Sequence, residues 1–267
     1  MISLDDVSVI SPSNDGESKT IVEICKKLGL DVRVSLQPWG ATLDQESADN
    51  LKRLRKKVVI VEMPSLKAER ELEKLGHEVV IIDHHYYPKM GLDRRKPDSS
   101  LEQLARLFGY TLSRKEKGIA INDRDYIFGM IDAGYSIPEI QEIRQLDLGA
   151  QGVPEENIQK VKEALTTAPV KNGITILKLD FVNAGYAQDF LVLQNPTEVR
   201  SLLILGGNPL AKVQFYGPPE LVEKLADIGE WMGGGGKTKF WGTNHPDLQE
   251  IFRRLKIDGL ETDKLPG

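Results

Sequence analysis

A chain of 267 residues that is 40% hydrophobic and 28% charged has the make-up of a soluble globular protein, not of a disordered or fibrous one. A net charge of −5 argues against a surface built mainly to coat nucleic acid, although it leaves room for a local basic groove. The length suits two domains of ordinary size or one large α/β unit.

The first residues, Met1 to Asp6, have neither the basic nor the apolar region of a signal peptide, and no apolar run reaches membrane-spanning length. A soluble, cytoplasmic protein without a membrane partner is expected. The single Cys25 fits a reducing compartment and reads as a small core residue. Val7 to Ile10 is a short predicted strand, followed by the turn-rich Ser11-Pro12-Ser13-Asn14-Asp15-Gly16. Ser18 is placed to cap a helix whose apolar positions Ile21, Val22, Ile24, Cys25 and Leu28 repeat at helical spacing up to Gly29. Asp31 to Leu36 alternates and predicts a second strand, broken by Pro38-Trp39-Gly40. Leu43 to Lys57 reads as a polar helix with a basic end. Val58 to Val61 is an all-apolar strand ending at Glu62, and Ser65 caps a helix that stops at Gly76.

Glu78-Val79-Val80-Ile81-Ile82-Asp83-His84-His85 follows. Its β-branched run predicts an interior parallel strand, and the strand ends in a carboxylate and two imidazoles. Ligands of open α/β sheets sit off the carboxyl ends of the strands. Carboxylate and imidazole together suit Mn or Zn better than Ca or Mg. The alternative is a capped strand end, with Asp83 bonding loop amides and both histidines facing solvent. Short connections between strands and helices predict a doubly wound parallel sheet, with Glu62 and Asp83 delivered to one edge.

The loop from Tyr86 to Pro97 is basic, and Ser99 or Ser100 opens a helix running to Phe108. Ser113 to Ala133 reads as a helix with a polar cluster, Asn122-Asp123-Arg124-Asp125, set between apolar residues. Two amphipathic helices follow, Ile137 to Leu148 and Pro154 to Leu165, the second taken as a linker. The expected organisation is therefore an α/β chain with a doubly wound parallel-sheet domain over 1–150, a helical linker over 151–170 and a smaller α/β domain over 171–267. Within the latter, Ile174 to Leu179, Ser201 to Leu205 and Ala211 to Tyr216 are strands, the last two a hairpin. Pro218 to Ile228 and Asp247 to Leu255 are helices. Between them lies Met232-Gly233-Gly234-Gly235-Gly236-Lys237-Thr238, whose glycine amides and lysine suit phosphate capture; a turn joining a helix to a strand is the alternative.

A strand ending in Asp-His-His, a downstream helix carrying Asp123, and a glycine run near the C-terminus together resemble the DHH phosphoesterase family. That family includes RecJ-like nucleases, short-oligonucleotide and cyclic-dinucleotide phosphodiesterases and exopolyphosphatases, and the resemblance spans nearly the whole chain. It implies an N-terminal DHH domain and a DHH-associated C-terminal domain that binds substrate. It also implies catalysis by Mn2+, of which family members hold two ions. His84 matches a metal ligand, His85 a residue approaching the scissile phosphate, and Asp83 a carboxylate that orients its neighbours. Asp123 matches a further ligand, with Asp125 as its substitute under a different helix phase. Gly234, Gly235, Gly236 and Lys237 fall where the family binds substrate.

The departures are also specific. The family's first motif carries a histidine and two aspartates, where this chain has only Asp15. Its second motif is an aspartate, replaced here by Glu62, whose extra methylene moves the carboxylate by ~1.5 Å. Asp15, Glu62, His84 and Asp123 suit one Mn2+ better than two. The expected activity is hydrolysis of phosphodiester bonds in a short oligonucleotide or nucleotide-type substrate. The alternative is a catalytically degenerate DHH fold that binds a nucleotide or phosphate as a regulator or interaction subunit. Pairing with a second copy of the chain, as a homodimer, is left open.

Overall fold

The continuous β-branched runs form strands because their branched side chains pack well on a pleated sheet covered on both faces. The computed structural model describes residues 4–87, 90–234 and 237–259, and the chain divides into two units, Met1–Gly152 and Val153–Gly267.

In the first unit, β1 (Val7–Ser11), β2 (Asp31–Val34), β3 (Lys57–Val61) and β4 (Glu78–Ile82) form an all-parallel sheet in the order β2-β1-β3-β4. Register places Ile10, Ile60 and Ile81 side by side on one face, and Val9, Val59 and Val80 on the other. Helix α1 (Gly16–Lys27) links β1 to β2, and α2 (Leu66–Lys74) links β3 to β4. These two connections advance in opposite directions along the sheet, so right-handed crossovers put their helices on opposite faces. Leu72 of α2 joins Ile10, Ile60, Met63 and Leu43 in one apolar cluster. Helix α1 packs against α3 (Ser100–Phe108), α4 (Arg114–Asp132) and α5 (Ile137–Ala150). Val9, Ile10, Val59 and Ile60 are almost completely buried, each contributing roughly 1.5–3 kcal/mol of transfer free energy.

Two expectations for this unit need correction. The strand ending in Asp83-His84-His85 is not interior: among the described residues β4 pairs only with β3, at the edge of the sheet. Its apolar run reflects cover on its faces, and Val79, Val80 and Ile81 are only half-buried. Its free side is occupied by side chains, since Lys96 Nζ donates to the Ile81 carbonyl at 3.4 Å and Gln103 Nε2 to that of Asp83 at 3.0 Å. The polar helix expected from Leu43 to Lys57 reduces to a 3-10 turn at Leu43–Gln45 followed by further turns. Side chains take its backbone N–H groups instead: Ser47 N–H donates to Glu46 Oε1 at 2.7 Å, Asn50 N–H to Ser47 Oγ at 3.3 Å and Arg55 N–H to Ser8 Oγ at 2.9 Å. After β4, the hairpin β5 (Tyr86–Tyr87) and β6 (Leu92–Asp93) carries the basic segment, with Arg94 tied to Glu69 at 2.5 Å and Arg95 to Asp93 at 2.6 Å.

The second unit begins with α6 (Glu155–Thr167), expected as the linker, which packs on β8 and α7 through the fully buried Val161. Its sheet comprises β7 (Val170–Lys171), β8 (Ile174–Leu179), β9 (Ser201–Gly206), β10 (Lys212–Gly217), β11 (Trp231–Gly233) and β12 (Lys239–Thr243), in the order β11-β12-β10-β9-β8-β7. Only β8 and β9 run parallel. Helix α7 (Ala187–Gln194) precedes β9, and α9 (Leu248–Leu255) closes the unit. Phe215, Trp241, Leu203, Val213, Ile251 and Leu255 form its core. The helix expected from Pro218 is α8 (Pro219–Val222), continued as a 3-10 turn over Glu223–Ile228. Among the described residues, no helix is long and apolar enough to cross a membrane.

Candidate metal centre

Strand order brings the carboxyl ends of β1, β3 and β4 together, and β1–β3 is the pair at which the crossovers diverge. Beyond β1, Asp15 caps α1, its Oδ1 accepting from the Ser18 N–H at 2.8 Å and the Ser18 hydroxyl at 2.7 Å. Ser18 was the expected cap; it serves instead as the third residue of a capping box begun by Asp15. Beyond β3, Glu62 extends the ladder through its N–H to Ile82 O, at a φ of 50°. A non-glycine residue held in that region costs on the order of 1–3 kcal/mol. Beyond β4 come Asp83, His84 and His85.

Four side chains converge there. One donor atom from each of Glu17, Glu62, His84 and Asp123 lies within 4.8 Å of the others. His84 Nε2 is 2.8 Å from Asp123 Oδ2, 3.3 Å from Glu62 Oε1 and 3.9 Å from Glu17 Oε2. All four atoms are buried, and none has a well-directed hydrogen bond. Buried polar atoms are nearly always satisfied, so a set that shares a centre without directed hydrogen bonds is one that could hold a cation. Three carboxylates and one imidazole match Mn or Zn, and the span suits one ion with bonds of ~2.0–2.2 Å.

The charges perturb one another strongly. Burial, then repulsion from Asp123 and Glu62, holds the Glu17 carboxyl well above the usual carboxylate range, against hydrogen bonds from Ser99 and Leu101. Burial and the same two neighbours push Asp15 up to about 6. Burial works against a charged His84, but Asp123 and Glu62 outweigh it and push the imidazole up to about 10. Burial likewise works against a charged Glu62, yet His84 and His85 bring it below its ordinary value. The centre therefore holds a proton on His84 at neutral pH, which a cation would displace.

His85 lies outside the four-donor set but forms a second grouping of donor atoms with Glu62 and His84, its Nδ1 3.8 Å from Glu62 Oε1. Its ring lies 4.3 Å from that of His84, but its side chain is 45% exposed. Asp83, 1% exposed, accepts the His85 N–H at 2.9 Å and sits 3.2 Å from His85 Nδ1 through Oδ1, while its Oδ2 accepts from the Tyr87 hydroxyl at 3.0 Å. This fixes the ring with Nε2 as the remaining nitrogen. Burial opposes charge on His85, and the Asp83 contact and Glu62 more than offset it, so its pKa is raised.

Asp123 is delivered by α4, which breaks its helical geometry three residues later at Tyr126, with φ 60° and ψ −157°. That backbone region is almost confined to glycine and marks stored strain. Arg124 Nη1 donates to Glu102 Oε2 at 2.5 Å and Nε to Asp125 Oδ2 at 2.7 Å, so Asp125 is engaged away from the cluster.

Of the residues expected to bind metal, Glu62, His84 and Asp123 are brought together. Asp15 is close enough to feel their charge but contributes no atom to the four-donor set. Glu17 takes that place and escaped sequence reading. Its signal was slight, a second carboxylate two residues after Asp15, and its burial depends on Leu101, whose N–H donates to Oε1 at 3.0 Å. Cys25 is buried as expected, its thiol pushed up to about 12 by burial.

In the second unit the glycine run joins β11 to β12, so the turn lies between two strands. Gly235 and Gly236 lie outside the described residues. Gly234 has φ 84°, and a Cβ there would come within 3.0 Å of the Thr238 carbonyl, so only glycine fits. Lys237 is exposed. Trp231 lies against Gly242 and within cation–π range of Lys212, at 5.0 Å, while Trp241 is in the core.

No protein-family model matches the chain, and no curated protein matches it. Among solved structures, an exonuclease RecJ bound to manganese overlaps 93% of this chain and 88% of its own, with a TM-score of 0.45 and 12% identity. RecJ of Thermus thermophilus in complex with Mn2+ overlaps 94% of this chain and 51% of its own, at a TM-score of 0.47 and 13% identity. An uncharacterized protein from Helicobacter pylori overlaps 94% and 97%, at a TM-score of 0.30 and 10% identity. At such low TM-scores and identities, the chain's chemistry has to be read from its own side chains: three carboxylates and a histidine gathered at the carboxyl edge of a parallel sheet.

Proposed function

We propose that this chain is a phosphoesterase dependent on one divalent cation, Mn2+ by preference, acting on phosphodiester bonds of a short oligonucleotide or nucleotide. The observation that carries this reading is the set of four buried donor atoms from Glu17, Glu62, His84 and Asp123, gathered within 4.8 Å without directed hydrogen bonds. When bound there, the cation supplies Lewis acidity toward a phosphoryl oxygen and toward water. Asp83 orients His85 through Nδ1, and the raised pKa of His85 favours the protonated ring. His85 Nε2 then stabilises developing charge on the phosphoryl group or hands its proton to the leaving oxygen. In the second unit, Gly234 and Lys237, with Gly235 and Gly236, are proposed to hold a substrate phosphate.

The engagement of Asp15 as a helix cap supports a second reading, in which the chain binds a cation and a nucleotide without hydrolysing it. Calorimetry with Mn2+ on the metal-stripped full chain, followed by hydrolysis assays on short oligonucleotides and cyclic dinucleotides, separates the two. Stoichiometric binding lost in His84→Ala and Asp123→Asn, with hydrolysis lost in His85→Asn while binding persists, is the expected result. Binding without hydrolysis selects the second reading, and no Mn2+ binding by wild type overturns both.

A further inference from the structure

We infer that Arg144 and Asp147 are positioning residues of the cation centre, holding its Glu17 and Asp123 branches at one spacing; this rests on the proposed function. Both lie on α5, outside the four-donor set, with side chains only 12% and 10% exposed. Asp147 Oδ1 accepts the Gly16 N–H at 2.9 Å. Its Oδ2 accepts from Arg144 Nη1 at 2.7 Å and from Gln151 Nε2 at 3.0 Å. The same Arg144 nitrogen donates to Asn122 Oδ1 at 3.2 Å, and the guanidinium lies 5.2 Å from the centre of the Tyr126 ring.

The partners' positions give this chain of contacts its meaning. Gly16 immediately precedes Glu17, and Asn122 immediately precedes Asp123. Tyr126 is the residue at which α4 departs from helical geometry. One ion pair thus grips the backbone beside one carboxylate and the side chain beside the other. The approach is close, since a Cβ on Gly16 would come within 3.2 Å of the Asp147 Cα. The carboxylate of Asp147 also complements the positive end of α1. A buried ion pair adds little net stability, because desolvation offsets its attraction. What it fixes here is geometry. Glu17 and Asp123 come from two different helices, α1 and α4, and the tie through Gly16 and Asn122 spans both.

The test titrates Mn2+ alone into the metal-stripped full chain by calorimetry. The proteins are wild type, Asp147→Asn, Arg144→Met, Arg144→Lys and the double variant R144M/D147N, with melting followed in parallel. Arg114→Gln is the control: Arg114 also ties α4 to the start of α5, through Glu139 at 2.6 Å and the Gly134 carbonyl at 3.0 Å, but it is the first residue of α4, away from Asp123 at the helix middle. Asp147→Asn and Arg144→Met are expected to weaken Mn2+ binding by about 10–100-fold, the range seen when partners behind metal ligands are removed. Arg144→Lys keeps the charge and recovers part of the affinity. Arg114→Gln lowers the melting temperature without changing Mn2+ affinity. If a single variant fails to fold, the double variant, which leaves neither charge buried alone, decides the matter. Wild-type affinity in the folded variants overturns the inference while leaving the proposed function intact. Absence of Mn2+ binding by wild type removes the proposed function and this inference with it.

Discussion

Burial alone would strip the proton from His84; Asp123 and Glu62 more than reverse that and hold the imidazole at about 10, against an ordinary value of 6.5. A group whose pKa is raised on folding stabilises the protein fully below its ordinary value and loses that contribution as pH rises through the folded value. The metal-free protein should therefore lose stability from about pH 6.5 upward, where ordinary carboxylates are ionised in both states and contribute no slope. The raised pKa values of His85 and Glu17 act in the same direction. Thermal melts in EDTA should show the melting temperature falling between about pH 6.5 and about pH 8.5, with the slope flattened in His84→Gln. An unchanged slope in that variant would show that His84 is not the group being titrated. The same residue shows what the chain reveals unaided. His84, Glu62 and Asp123 were legible because each follows a recognisable strand or interrupts an apolar helix. Glu17 was not, because its burial depends on Leu101, 84 residues away, and Asp147 reaches Gly16 across 131 residues.

Among the elements, α3 carries more than its length suggests. Its capping box joins Ser99 to the Glu102 N–H at 3.3 Å and Glu102 back to the Ser99 N–H at 2.9 Å. The same Glu102 oxygen receives Arg124 of α4. Leu101, one residue along, supplies the amide that holds Glu17. Removing the cap in Ser99→Ala should cost about 0.5–2 kcal/mol of stability, measured by urea unfolding, and should weaken Mn2+ binding as well because three contacts share this turn. A stability loss without any change in Mn2+ affinity would show that the first turn of α3 merely caps a helix. The elements that sequence reading misjudged share a cause. The segment from Leu43 had helical composition, but the side chains of Glu46, Ser47 and Ser8 took the backbone N–H groups of Ser47, Asn50 and Arg55. The β4 run was apolar enough for an interior strand, and periodicity reports cover on the faces of a sheet but not the pairing of its edges.

For the molecule as a whole, the two units have separate cores and separate sheets, and all four donor atoms belong to the first. A ligand that binds only the folded state stabilises it by about 2.7 kcal/mol at a hundredfold excess over Kd. Mn2+ should therefore raise the melting transition of the first unit by several degrees, at ~2–4 °C per kcal/mol for a unit of this size, and leave core signals of the second unit, such as Trp241 fluorescence, unmoved. Equal shifts in both would show that the units unfold together.

The side chains along β4 bear on how this protein meets its own copies. Unpaired carbonyls at a sheet edge invite strands from other molecules, and proteins commonly blunt such edges with lysine. Lys96 and Gln103 already hold the carbonyls of Ile81 and Asp83. A strand arriving there would have to displace an ammonium group and an amide before making its first ladder bond. The edge that carries the histidines is thereby guarded against sheet-to-sheet association, and self-assembly through this sheet is left to the opposite border, at β2.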